Sequence, residues 1–313
     1  MENSTENLMF NVSVGPQSVA NDNTRRLMIK VIIALLPTTI WGIYVFGLEA
    51  LITIGLCIIS AVLFEYLYCK IMKLDISIGD FSAVVTGLLL GLNLTSTIPW
   101  WICVIGSFVA IVIAKMLFGG IGYNFINPAL AARCFLLISF TARMTSFTYD
   151  TVTGPTPLAQ IKTNGIEGIN LLDLFLGNKG GVIGEVSILC VLIGALFLVV
   201  TKVINLRIPL AYIISFAIMI FFVGQEAFSI KFVLIQVLSG GLILGAFFMA
   251  TDYTTSPVTP KGEIIFGVIL GVLTALFRTP NSEGVSYAII LGNLVVPLIE
   301  RVTIPKFFGK EAK

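Results

Sequence analysis

Residues 150–162 read DTVTGPTPLAQIK and hold the hydroxyl best placed for covalent chemistry. Gly154, Pro155 and Pro157 are turn formers, so Thr156 is expected on a bend and not in a helix. A hydroxyl clear of packing is a good acceptor for modification; an ordinary polar turn is the competing reading. Residues 119–129, GGIGYNFINPA, concentrate glycine and amide side chains. A re-entrant turn there would offer backbone N–H groups and Asn124 or Asn127 to a polar ligand. The plainer alternative is a helix start, with Asn127 as cap and Pro128 at the first helical position. The spacing is wrong for a dinucleotide-binding fingerprint. Arg133 falls inside an apolar run, where a guanidinium needs a phosphate, a carboxylate or backbone carbonyls. Arg278 falls on the same side of the chain's topology as Thr156 and is placed to meet a phosphate bidentately. Glu65, near the end of another apolar run, is expected to reach out to the interface. Asp80, Asp252 and Glu300 fall near predicted helix ends, where solvated roles are the default. The five cysteines lie in apolar surroundings and form no CxxC pair, so they read as small buried hydrophobes and no metal site is expected.

The elements that position these groups are membrane spans. The chain is 57% apolar and 12% charged, against about 25% charged in soluble domains. A spanning helix needs about 20 mostly apolar residues. Ten stretches qualify: 28–47, 49–69, 78–97, 99–118, 124–142, 183–203, 207–224, 230–250, 262–279 and 284–302. With the N-terminus in the cytoplasm, most of the 19 Lys and Arg fall on the cytoplasmic side, Arg25, Arg26, Lys30 and Lys115 among them. Arg143, Lys162, Lys179, Lys231 and Arg278 then lie outside, Arg133 lies within a span, and both termini are cytoplasmic. Residues 1–23 are polar, and no cleavable signal peptide is evident. The net charge of +2 says little about partners, and no nucleic acid partner is expected.

The chain also looks duplicated. GLLLG at 87–91 resembles GLILG at 241–245, and each run leads into a Thr/Ser/Pro-rich stretch, at 95–99 and 254–260. FGGIGYN at 118–124 enters the fifth span, as FRTPNSEG at 277–284 enters the tenth. Five spans per half is odd, so the halves insert with opposite orientation, the plan in which ligand sites form near the repeat interface. Close helix packing explains the Gly-xxx-Gly runs equally well. The expected fold is an all-α polytopic membrane protein. A cytoplasmic segment, 1–27, precedes a first five-helix repeat, 28–142. An extracytoplasmic loop, 143–182, leads to a second repeat, 183–302, and a cytoplasmic tail, 303–313.

Three segments together carry a family resemblance. Thr153-Gly154-Pro155-Thr156, with Asp150 upstream, resembles the [Ser/Thr]-Gly-Ala-[Ser/Thr] signature of flavinylated membrane subunits. GYNFINPA followed by Arg133, and FFMATDYTTSPVTPKG, resemble hallmark segments of the D subunit of the Rnf complex and the related B subunit of the sodium-pumping NADH:quinone reductase. The likeness runs from about residue 25 to 305. It implies ten spans in two inverted five-helix repeats, similar to urea transporters, in the bacterial cytoplasmic membrane. It implies FMN joined through its phosphate to Thr156, at a site that includes Asp150, Thr153, Gly154 and Pro157. It further implies a flavin transferase that makes the bond, and riboflavin held non-covalently within the membrane region. Partners implied are the other Rnf subunits, above all the covalent-flavin G subunit and the A and E membrane subunits. The chain would relay electrons as one part of a redox-driven Na⁺ or H⁺ translocase, with no complete active site of its own. Pro155 departs from the signature's alanine. The short leader favours the Rnf branch; the quinone reductase B subunit and a cofactor-free, urea-transporter-like solute channel are the alternatives.

Overall fold

The computed structural model describes residues 23–305 apart from 147, 150–151, 154–157, 159, 162–164, 166–169, 178–179, 225–227 and 279–283. Long apolar runs with few breakers give helices nearly throughout. The main ones are α1 (Thr24–Phe46), α2 (Leu48–Met72), α3 (Ser82–Leu92), α4 (Trp100–Phe108), α5 (Pro128–Ser139), α6 (Ile188–Val200) and α7 (Arg207–Val223). Then come α8 in two pieces, α8a (Ile230–Val237) and α8b (Leu242–Met249), followed by α9 (Pro260–Arg278) and α10 (Val285–Thr303). A two-stranded antiparallel ladder pairs Thr148 with Thr153 and Tyr149 with Val152.

Among the described residues, five helical stretches are long and apolar enough to cross a membrane: α1, α2, α4 with its continuation to Phe118, α9 and α10. The pieces of α8 together make a sixth, bent by 61°. Helices α3, α5, α6 and α7 are apolar but shorter. The molecule is a polytopic helical membrane protein. The short helices differ from the expected spans for local reasons. Helix α3 stops at Leu92 because Asn93, Thr95, Ser96 and Pro99 follow, with the first three buried. Helix α5 starts only at Pro128, whose ring removes a backbone donor that a first turn leaves unused.

The two glycine runs have different causes. A Cβ on Gly87 would lie 2.7 Å from Cys57 O and 2.8 Å from Ile58 Cα, so α3 and α2 touch backbone to backbone. Gly241 plays another part. Its φ is +66°, and with Gly240 at +67° it forms the break in α8. The two similar runs thus differ in structure: one is a helix contact, the other a hinge point followed by a helix start. Two π-helical segments, Val109–Ile113 and Gly245–Met249, lead toward the same region, and such segments recur at functional sites.

Candidate functional site

A cavity of about 370 Å³ lies where the starts of α1, α3 and α5 meet the end of α8b. Its apolar wall includes Leu89, Phe247 and Phe248; Ser82, Thr86, Lys115, Asn124, Asn127 and Asp252 supply polar groups. The size falls within the range of small-molecule sites.

Asn127 has two jobs. Its Oδ1 accepts from Ala129 N at 3.1 Å and Leu130 N at 3.4 Å, capping α5. Its Nδ2 donates to Met249 O at 3.3 Å, tying α5 to the π segment of α8b. Asn124 is buried, and its Oδ1 has no hydrogen-bond partner among the described residues. A buried amide oxygen left bare costs about 1–3 kcal/mol, and here it lines a cavity.

The charged wall is built from three elements. Lys115 Nζ is 2.6 Å from Glu65 Oε2 of α2 and donates to Ser82 Oγ of α3 at 2.6 Å. Ser77 Oγ donates to Glu65 Oε1 at 2.5 Å. Asp80 Oδ1 accepts from Ser82 Oγ at 2.6 Å and from Ser82 N at 2.8 Å. Glu65 does not reach out to the interface as the sequence suggested: it is 0% exposed, because Lys115 and Ser77 satisfy it inside. Lys115 is likewise buried and not a surface charge. Burial pushes the Asp252 carboxyl above the usual carboxylate range, and hydroxyls of Thr254 and Thr255 hold it partly down.

The structure places Arg133 behind this cavity. It is buried in α5, and its Nη1 donates to Asn93 Oδ1 at 2.7 Å. Asn93 Nδ2 in turn donates to Leu89 O at 2.7 Å. Asn293 of α10, oriented so that its amide nitrogen donates to Thr255 O, accepts from Asn127 N at 3.2 Å. The amides join α3, α5, α8b and α10 into one network, which gives a membrane-buried guanidinium its partner.

Arg278 belongs to a different place, the break in α8. Its Nη1 donates to Gln236 O, and Nη2 donates to Ser239 O at 2.8 Å and Gly240 O at 2.9 Å. A Cβ on Gly240 would strike both Arg278 and Leu158, so the chain two residues past Thr156 packs beside this guanidinium. Asp150, Gly154, Thr156 and Pro157 lie outside the described residues, and of Thr153 only the backbone, in the ladder, is described.

The NQR2, RnfD, RnfE family model matches residues 11–309. The chain belongs to this family. The sequence is 47% identical to the D subunit of the Na⁺-translocating ferredoxin:NAD⁺ oxidoreductase complex of Acetobacterium woodii, over 98% of this chain and 99% of that one. It is 39% identical to the D subunit of the proton-translocating ferredoxin:NAD⁺ oxidoreductase complex of Clostridium ljungdahlii, over 96% of each chain. It is 36% identical to the D subunit of an ion-translocating oxidoreductase complex of Stutzerimonas stutzeri, over 92% of this chain and 93% of that one. Membership in the family fits the resemblance carried by GYNFINPA, Arg133 and FFMATDYTTSPVTPKG. The cavity of this family member is formed where those segments meet.

Proposed function

We propose that the chain is a flavin-carrying membrane subunit of an ion-translocating ferredoxin:NAD⁺ oxidoreductase of the Rnf type. The observation that carries the reading is 47% identity to a D subunit of such a complex across nearly the full length of both chains. On this reading the chain crosses the membrane ten times, as two inverted five-helix repeats. The pairing of helices supports it: α1 packs on α6 and α5 on α10, each helix against the one five places on, while α2 packs on α4 and α7 on α9. A two-fold axis between halves would produce these pairs. Both termini face the cytoplasm, and the Thr156 loop faces outward.

Two flavin positions follow. FMN is held as a phosphoester on Thr156, made by a flavin transferase; Leu158, two residues on in sequence, packs beside Arg278. Riboflavin, held without a covalent bond, takes the cavity. The residues there suit a tricyclic ring. Asn124 Oδ1 awaits a donor such as a ring N–H, the Lys115 ammonium can meet a ring carbonyl, and Leu89, Phe247 and Phe248 cover apolar faces. A bound flavin supplies one- and two-electron transfer, and the protein supplies position and electrostatics. The other Rnf subunits deliver and remove the electrons, G on the Thr156 side and A and E in the membrane.

The test uses a strain with a competent transferase. After denaturing electrophoresis the wild-type band fluoresces under ultraviolet light, and the Thr156→Ala band is dark. Acid extraction of the native complex releases riboflavin. A dark wild-type band with no extractable flavin leaves a cofactor-free channel, which solute flux in liposomes then examines.

A further inference from the structure

We infer that Asp80, Ser82 and Lys115 form a proton-delivery chain from the membrane surface to the cavity, with Glu65 as the fixed counter-charge. The inference rests on the reading that a flavin occupies that cavity.

Asp80 is half-buried at the mouth of α3, and Ser82 and Lys115 are both buried and both line the cavity. Each link is a hydrogen bond of 2.6 Å, Asp80 Oδ1 to Ser82 Oγ and Ser82 Oγ to Lys115 Nζ. Ser82 is both donor and acceptor, which a relay needs and a mere spacer does not. The charged groups around Lys115 are Glu65 from α2, Asp80 through Ser82, and Asp252 across the cavity.

Charge balance sets the direction. At rest the Lys115 ammonium is balanced by Glu65 at 2.6 Å. When a one-electron donor in the complex adds a negative charge to the ring in the cavity, that balance changes. Lys115 then yields a proton: one N–H bond breaks at Nζ and one X–H bond forms on the ring. Lys115 is left neutral and Glu65 an uncompensated buried carboxylate, which is strongly unfavourable. Ser82 therefore turns its hydroxyl proton to Nζ and takes one through Asp80, whose carboxylate, the acceptor at rest, picks up a proton from a hydronium ion at the surface as it hands it on. The net change is one electron and one proton taken up, with Lys115 and Glu65 restored.

The test follows proton uptake by the purified complex, with a pH-indicator dye, after flash reduction. Flavin content is measured on the same samples. Asp80→Asn keeps an oxygen for the Ser82 N–H but cannot carry a proton. Uptake is expected to slow by roughly a hundredfold, and small weak acids such as hydrazoic acid are expected to restore it. Ser82→Ala, which leaves both charges in place, is expected to slow uptake without that rescue. Wild-type rates in both variants, with flavin retained, would overturn the chain, as would a slow Asp80→Asn that hydrazoic acid does not restore. A wild-type complex with no extractable riboflavin overturns the underlying reading instead, and is told apart by the flavin assay alone.

Discussion

Arg278 Nη2 donates to Gly240 O at 2.9 Å, at the point where α8 turns through 61°. The same guanidinium bonds Ser239 O and Gln236 O, and it lies 5.0 Å from the centre of the Phe216 ring. A broken helix leaves carbonyls without helical partners and a partial negative charge at its end. Within a membrane such groups must be satisfied by protein. Arg278 satisfies them and complements their charge. Its fork reaches carbonyls that a lysine could not hold together. Arg278→Gln is therefore expected to lower stability in detergent by roughly 3 kcal/mol, with Arg278→Lys recovering only part. Thermal unfolding of the purified protein checks this, and a wild-type midpoint for Arg278→Gln would exclude the role.

Glu65 and Lys115 invite a double-mutant cycle. The pair is buried to 0% and 3% exposure, so neither partner has water to fall back on. Lys115→Met strands the carboxylate, and the expected cost is about 3–5 kcal/mol. Glu65→Gln strands the ammonium at similar cost. The double variant, Glu65→Gln with Lys115→Met, should be more stable than either single one, because it buries no unpaired charge. Additive losses in thermal unfolding would mean that the two side chains do not interact as the 2.6 Å contact requires.

Apolar run length made the helical membrane class readable, because a helix satisfies its backbone groups within one continuous apolar segment of about 20 residues, whereas barrel strands are short and alternate in polarity. Asn127 and Pro128 were readable as a helix start for the same local reason that the structure shows, a side-chain cap followed by a ring that needs no donor. Glu65 and Lys115 were not readable as a pair. They are 50 residues apart, and only the close approach of α2, α3 and the end of the α4 span brings them together. Gly241 was misleading for a related reason: GLILG and GLLLG look alike, yet backbone conformation, which sequence spacing does not report, makes one a break and the other a contact. Arg133 advertised a need for a partner, but the partner, Asn93, is an uncharged amide from a helix end 40 residues away. Such a partner carries no charge pattern to search for.

Gly87 and Gly55 separate packing from helix propensity. Both lie inside apolar helices, Gly55 in α2 and Gly87 in α3. A Cβ on Gly87 would sit 2.7 Å from Cys57 O, which is backbone and cannot swing aside. A Cβ on Gly55 would meet nothing within 4 Å. Alanine is favoured over glycine in a helix interior by about 1 kcal/mol, so Gly55→Ala should be neutral or slightly stabilising. Gly87→Ala must push α3 off α2 and is expected to cost about 1–3 kcal/mol net. The shift would also move Ser82, five residues earlier on α3, away from Lys115. Gly87→Ala should therefore slow proton uptake as well as lower the unfolding midpoint, while Gly55→Ala does neither. Equal midpoints for the two variants would mean that α2 and α3 are not in backbone contact at this position.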